Sequence, residues 1–284
     1  MDGVQWRGLF FILILIVSWL VFGQPALAKD EVITLSTRPG VTQSYYHLYR
    51  NFKKPARGHV VLFPGGDGRI GLKDGRITEL KSNFLVRTRK AWLEARFFVS
   101  IVDVPSDTKS MYFPRKGDGE FRTSEEHAQD IEAIVRDLKK RAKLPVFLVG
   151  TSRGTMSVGN VTGKLPPGLV DGIVLTSSVF QPLPMNHTDP RRRGIRGLQQ
   201  AELVAIQVPT LWVHHKADRC SITSASGLPQ AMAWMVKAPL VEKMIISGGG
   251  KEKSAPCKGD SHHGFIGQED EVTEKIIGWI KKRL

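Results

Sequence analysis

The chain has 284 residues, of which 41% are hydrophobic, 41 are Lys or Arg, 27 are Asp or Glu and two are Cys. A chain of that length can bury a sizeable core and suits one large α/β domain or two small ones. The formal charge of +14 lacks the aromatic–basic interleaving that stacks nucleic-acid bases, so it reads as a soluble basic surface, loosely attracted to anionic envelope polymers or lipids.

From the amino terminus, Leu9 to Phe22 is an apolar run broken only by Ser18, followed by Gln24-Pro25-Ala26-Leu27-Ala28. The small-x-small ending is that of a secretory cleavage site. Residues 1–28 are therefore expected to be a signal peptide, and residues 29–284 one exported domain, periplasmic or secreted. The run is short for a span, and retention as a membrane anchor is the alternative. In an exported chain the even pair Cys220 and Cys257 is expected to form a disulfide.

Val32 to Ser36 and Ser44 to Tyr49 alternate as edge strands do. His59 to Phe63 is a buried strand, stopped by Pro64-Gly65-Gly66-Asp67-Gly68. Leu80 to Ala95 has helical spacing, and Phe97 to Val104 reads as another central strand. A polar loop, Ser106 to Arg122, leads to a capping box at Thr123 to Glu126. That box opens a helix with Ile131, Ile134, Val135 and Leu138 on one face. His127 and Asp130 on this helix read as surface residues or as neighbours of a site. Val146 to Val149, Gly172 to Thr176 and Pro209 to His214 are further strands. Leu228 to Val236 is a helix, Val241 to Ile246 the last strand, and Glu271 to Leu284 a closing helix with a core-facing stripe. Strands alternating with helices at this spacing imply a mostly parallel, doubly wound α/β sheet with helices on both faces.

Gly150-Thr151-Ser152-Arg153-Gly154 follows the Val146 to Val149 strand and precedes small residues that lead into a helix. This is the layout of a nucleophile elbow, in which glycines allow a tight strand-to-helix turn that exposes the serine hydroxyl. A serine needs a base, and the base a carboxylate to orient it. Partners are expected after later strands, because ligands sit at the carboxyl ends of such sheets. Asp218 is the only carboxylate between Glu202 and Glu242, and His262 and His263 are the only histidines beyond it. Asp189, at the exit of the preceding strand, is the alternative acid.

In element order and at three points, the Gly150 to Gly154 elbow, Asp218 after a late strand and His263-Gly264-Phe265 before the last helix, the chain resembles the α/β-hydrolase superfamily. The resemblance implies Ser152 as nucleophile, Asp218 as acid and His263 as base, with His262 the alternative base. It also implies an oxyanion hole built from the amides of Arg153 and of Gly66 or Asp67, although Pro64-Gly65-Gly66 stands where the family often carries His-Gly. The Arg153 side chain either holds an anionic group or turns to a carboxylate. Phe180 to Val208, with Arg191 to Arg193, is the place of a cap. It is short, so the cap is expected to be small or absent and the site open.

The expected function is that of an exported serine hydrolase acting on a small-molecule ester or related acyl bond, without cofactor or metal. A peptidase or acyltransferase on the same triad, or a non-catalytic envelope-binding protein on a hydrolase fold, are the alternatives. His214-His215, His262-His263, Asp218 and the cysteines match no standard zinc spacing. The sequons at Asn160 and Asn186 read as coincidence in an exported chain with a bacterial-looking leader.

Overall fold

Val146 and Leu148 pack into one hydrophobic cluster while Phe147 and Val149 pack into another. This alternation makes Val146–Thr151 a strand buried on both faces. A computed structural model of the chain describes residues 28–112, 120–181 and 196–284, and those residues build two layers of helices around one sheet. In chain order the elements are β1 (Lys29–Arg38), β2 (Val41–Tyr49), β3 (Gly58–Phe63), β4 (Leu72–Lys73), β5 (Arg76–Ile77), α1 (Phe84–Arg87), α2 (Arg89–Glu94) and β6 (Phe97–Pro105). After them come α3 (Glu125–Arg141), β7 (Val146–Thr151), α4 (Gly154–Lys164), β8 (Gly172–Thr176), β9 (Thr210–His215), α5 (Leu228–Ala233), β10 (Val241–Ile246) and α6 (Glu269–Lys281).

The eight-stranded sheet has the order β1-β2-β6-β3-β7-β8-β9-β10. β1, β2 and β6 pair antiparallel, and every neighbour from β6 onward is parallel. Residues of α3, α4 and α5 join the cluster on one face, and those of α1, α2 and α6 the cluster on the other. The carboxyl ends of β3, β7, β8 and β9 thus open on the same side, where loops can converge on a ligand.

Three sequence expectations are corrected. Of the two strands expected at the edge only β1 lies there; β2 lies inside, between β1 and β6, and β10 forms the other edge. The helix expected over Leu80 to Ala95 is two short ones, because Asn83 caps α1 through Leu85 N and the Thr88 hydroxyl bonds back to Phe84 O at 2.8 Å. Leu80 takes a φ of 49° in the preceding turn. The cap of α3 is Ser124, one residue past Thr123, accepting from His127 N at 3.1 Å, since Phe121–Thr123 is itself a 3₁₀ turn.

His127 and Asp130 are both fully buried, which corrects the surface reading of the two that the sequence left open. Asp130 receives a bidentate pair from Arg38, Nε at 2.9 Å and Nη2 at 3.0 Å, which ties α3 to the end of β1. α5 ends at Ala233 and α6 runs Glu269–Lys281, each shorter at its end than the periodicity implied.

Candidate active site

β7 ends at Thr151, and Ser152 turns the chain with a φ of 53°, a left-handed conformation costly for a residue with a Cβ. Its amide still bonds Thr176 O of β8 at 2.9 Å, which anchors the turn to the sheet. A Cβ at Gly154 would run into the carbonyl oxygen of Phe63, so β3 can lie against the start of α4 only because that position is glycine. The strained turn lifts Ser152 into a cleft of about 1050 Å³, together with Gly65, Gly66, Arg153 and His263.

The loop that follows β9 carries Asp218. Asp218 Oδ2 lies 3.0 Å from His263 Nδ1, with both side chains almost fully buried. The Cys220 amide donates to its Oδ1 at 2.9 Å and the Thr223 hydroxyl to Oδ2 at 2.8 Å. Burial alone would raise the Asp218 carboxyl; its hydrogen bonds to His263, Cys220 and Thr223 outweigh that and hold it below the ordinary range.

His263 is fixed from its backbone as well. Its amide donates to Ser261 Oγ at 3.2 Å, and its carbonyl accepts from Ser177 Oγ at 2.7 Å. His262 faces elsewhere: it stacks on His215 with ring centroids 4.6 Å apart, and its Nδ1 lies 3.2 Å from Glu252 Oε1. The Cys220–Cys257 disulfide joins the Asp218 loop to the His263 loop. It also removes both sulfurs as thiolate metal ligands.

The Arg153 side chain lines the cleft and turns to a carboxylate. It pairs with Glu120, both side chains nearly inaccessible, and its guanidinium lies 4.5 Å from the Tyr112 ring centroid. Gly66 lines the cleft and Asp67 does not; the Asp67 carbonyl accepts instead from Met111 N at 2.8 Å. Asn160 is buried in α4 with its amide 3.1 Å from Ser124 O, so that sequon cannot be glycosylated in the folded chain. Residues 1–27, and with them the leader, lie outside the described residues, as do Asp189, Asn186 and Arg191 to Arg193.

Two arginines that sequence reasoning missed hold the loops. Arg122 donates to Pro64 O at 3.0 Å, Gly66 O at 3.3 Å and Ser157 Oγ at 2.8 Å. Arg87 reaches Ser82 O at 2.6 Å, Gly259 O at 3.0 Å and Gly264 O at 2.7 Å. Neither stands in a motif; each is one of 41 basic residues, and its role depends on a three-dimensional neighbourhood.

No protein-family model matches the sequence, and no curated protein does either. Solved structures do. A cold-adapted esterase from an Arctic intertidal metagenomic library superposes at a TM-score of 0.59 with 12% identity, covering 90% of this chain and 94% of that one. The esterase domain of a Rhodothermus marinus protein gives 0.56 and 12%, covering 89% and 98%. A prolyl endopeptidase gives 0.58 and 11%, covering 90% of this chain and 39% of the other. With this sheet order, elbow and loop placement, the chain has the fold of the α/β-hydrolase superfamily that its sequence resembles.

Proposed function

We propose that the chain is a serine hydrolase that cleaves a carboxylic ester or related acyl bond through Ser152, His263 and Asp218. One observation carries this reading: Ser152, on a strained turn, shares a cleft with His263, whose Nδ1 is 3.0 Å from a buried, low-pKa Asp218. An ionised Asp218 can only accept, so it holds the proton of His263 on Nδ1 and leaves Nε2 as the base.

In the forward step Ser152 Oγ attacks the acyl carbon as His263 Nε2 takes its proton. The carbonyl oxygen becomes an oxyanion, stabilised by the amides of Arg153 and Gly66, each donor contributing roughly 3–4 kcal/mol. The proton then passes from His263 to the leaving oxygen, the C–O bond breaks, and an acyl-Ser152 ester remains. Water, deprotonated by the same Nε2, releases the acid and restores the serine. No step calls on a metal or cofactor.

The same constellation acts on amides, and a prolyl endopeptidase shares this fold; a panel of esters and peptides separates the two. We also assign the chain to an exported compartment, a reading supported by its apolar leader and its disulfide. Fluorophosphonate labelling of the oxidised protein tests the catalytic reading. Labelling of the wild type that vanishes in Ser152→Ala and His263→Ala is the expected result. A folded, oxidised wild type that does not label would overturn it.

A further inference from the structure

The cleft is walled on two sides by residues 78–84 and 257–264, and each wall presents one exposed lysine, Lys81 and Lys258. The only carboxylates on these two segments are already taken by arginines: Glu79 lies 3.1 Å from Arg69, and Asp260 3.1 Å from Arg87. The third cation lining the cleft, Arg153, is matched by Glu120. Among the described residues no Asp or Glu lines the cleft, and neither lysine makes an ion pair. Two positive charges therefore face one concavity with low-dielectric walls, an arrangement that concentrates field on whatever enters.

The backbone segments that carry them are held together by the fold. Arg87 bonds both Ser82 O and Gly259 O, and the disulfide at Cys257 fastens the residue next to Lys258. An ammonium is a compact, mobile point charge that suits a carboxylate or phosphate oxygen without imposing a planar fork.

We propose that the substrate of this site is an ester bearing an anionic group, carboxylate or phosphate, away from the scissile bond, held by Lys81 and Lys258. This deepens the hydrolase reading and rests on it. Turnover of a matched pair tests it: p-nitrophenyl hydrogen glutarate against its neutral methyl ester, with p-nitrophenyl 4-phosphonobutyrate as the phosphate-like arm.

At low salt kcat/KM for an anionic ester is expected to exceed that of the neutral one by about tenfold or more, and the preference to shrink as salt rises. In the Lys81→Gln/Lys258→Gln variant the ratio is expected to fall to about one, and in Lys258→Glu to invert. Lys251→Gln, on the same loop outside the cleft lining, is expected to leave the ratio as it is. Whichever anionic arm turns over faster identifies the group. A wild-type ratio near one, or a preference untouched by the double variant, overturns the proposal while fluorophosphonate labelling of Ser152 persists. Loss of that labelling in the wild type overturns the hydrolase reading and this one together.

Discussion

Arg122 Nη2 donates to Pro64 O at 3.0 Å from a side chain with essentially no contact with water. Burial pushes the guanidinium down to about 10, and no carboxylate among the described residues lies within ion-pair distance. Its partners are the carbonyls of the loop that carries Gly66, so the arginine acts as a prop for the amide side of the site.

Replacing Arg122 by Leu leaves Pro64 O, Gly66 O and Ser157 Oγ without their donor. The expected cost is about 2–4 kcal/mol in urea unfolding, with kcat falling more than KM rises. Arg122→Lys keeps the charge but loses the fork, and should lie between the two. A Leu variant as stable as wild type would deny the prop any structural role.

Asp218→Asn tests the acid separately from the base. The Cys220 amide and Thr223 hydroxyl can keep the side chain in place, but an Asn amide nitrogen cannot accept the Nδ1 proton. The wrong tautomer should lower kcat by about 10⁴ with KM within a few-fold. Steady-state kinetics on p-nitrophenyl esters reads this; a loss below tenfold would move the acid elsewhere.

The disulfide closes a sequence separation of 37 residues. Loop entropy gives it about 4 kcal/mol, worth about 10 °C in the melting temperature of a domain this size. Thermal unfolding of the Cys220→Ser/Cys257→Ser variant checks the number. Because the bridge spans the acid and base loops, activity should fall at temperatures where the reduced chain is still folded.

Acid stability has a distinct source. Burial holds His47 down to about 4, and His127 and His214 to about 3. The folded chain keeps these rings neutral, while the unfolded chain protonates them below about pH 6.5. Their stabilisation is thus complete above that pH and lost as pH falls toward 4, by about 1.4 kcal/mol per unit for each ring. His127 lies between Phe63 and Phe121, centroids 6.4 and 5.4 Å away, with neither ring nitrogen hydrogen-bonded among the described residues. His127→Phe should therefore shrink the drop in urea midpoint between pH 7 and pH 5. An unchanged drop would assign the effect to the other buried rings, His47 and His214 with His59 and His215, which burial also lowers.

Central strands were legible because a two-face burial leaves an unbroken apolar run, and Val146 starts β7 as that pattern says; the mostly exposed edge strand Val241 to Ile246 matches in its bounds without such a run. That Ser152, Asp218 and His263 would be brought together was legible because their loops offer few rivals. Helix ends were not, since Thr88 breaks α1 from α2 by a side-chain bond that periodicity does not register. Asp130 looked like surface because its partner, Arg38, is 92 residues away. Arg87 and Arg122 bond mainly to backbone carbonyls, which every residue carries, so no sequence pattern marks their partners.

At Gly259 a Cβ would strike the carbonyl of Ser82 on the adjoining wall of the cleft. Four residues later the same loop carries His263, and Arg87 grips Gly259, Gly264 and Ser82 at once. The aperture and the proton acceptor are therefore one mechanical part. A larger residue at 259 would wedge the entrance wider and carry the imidazole out of register in the same movement. Broader substrate tolerance on this scaffold would then have to come from the other rim, through residues 78–81, where the gauge can open without disturbing the base.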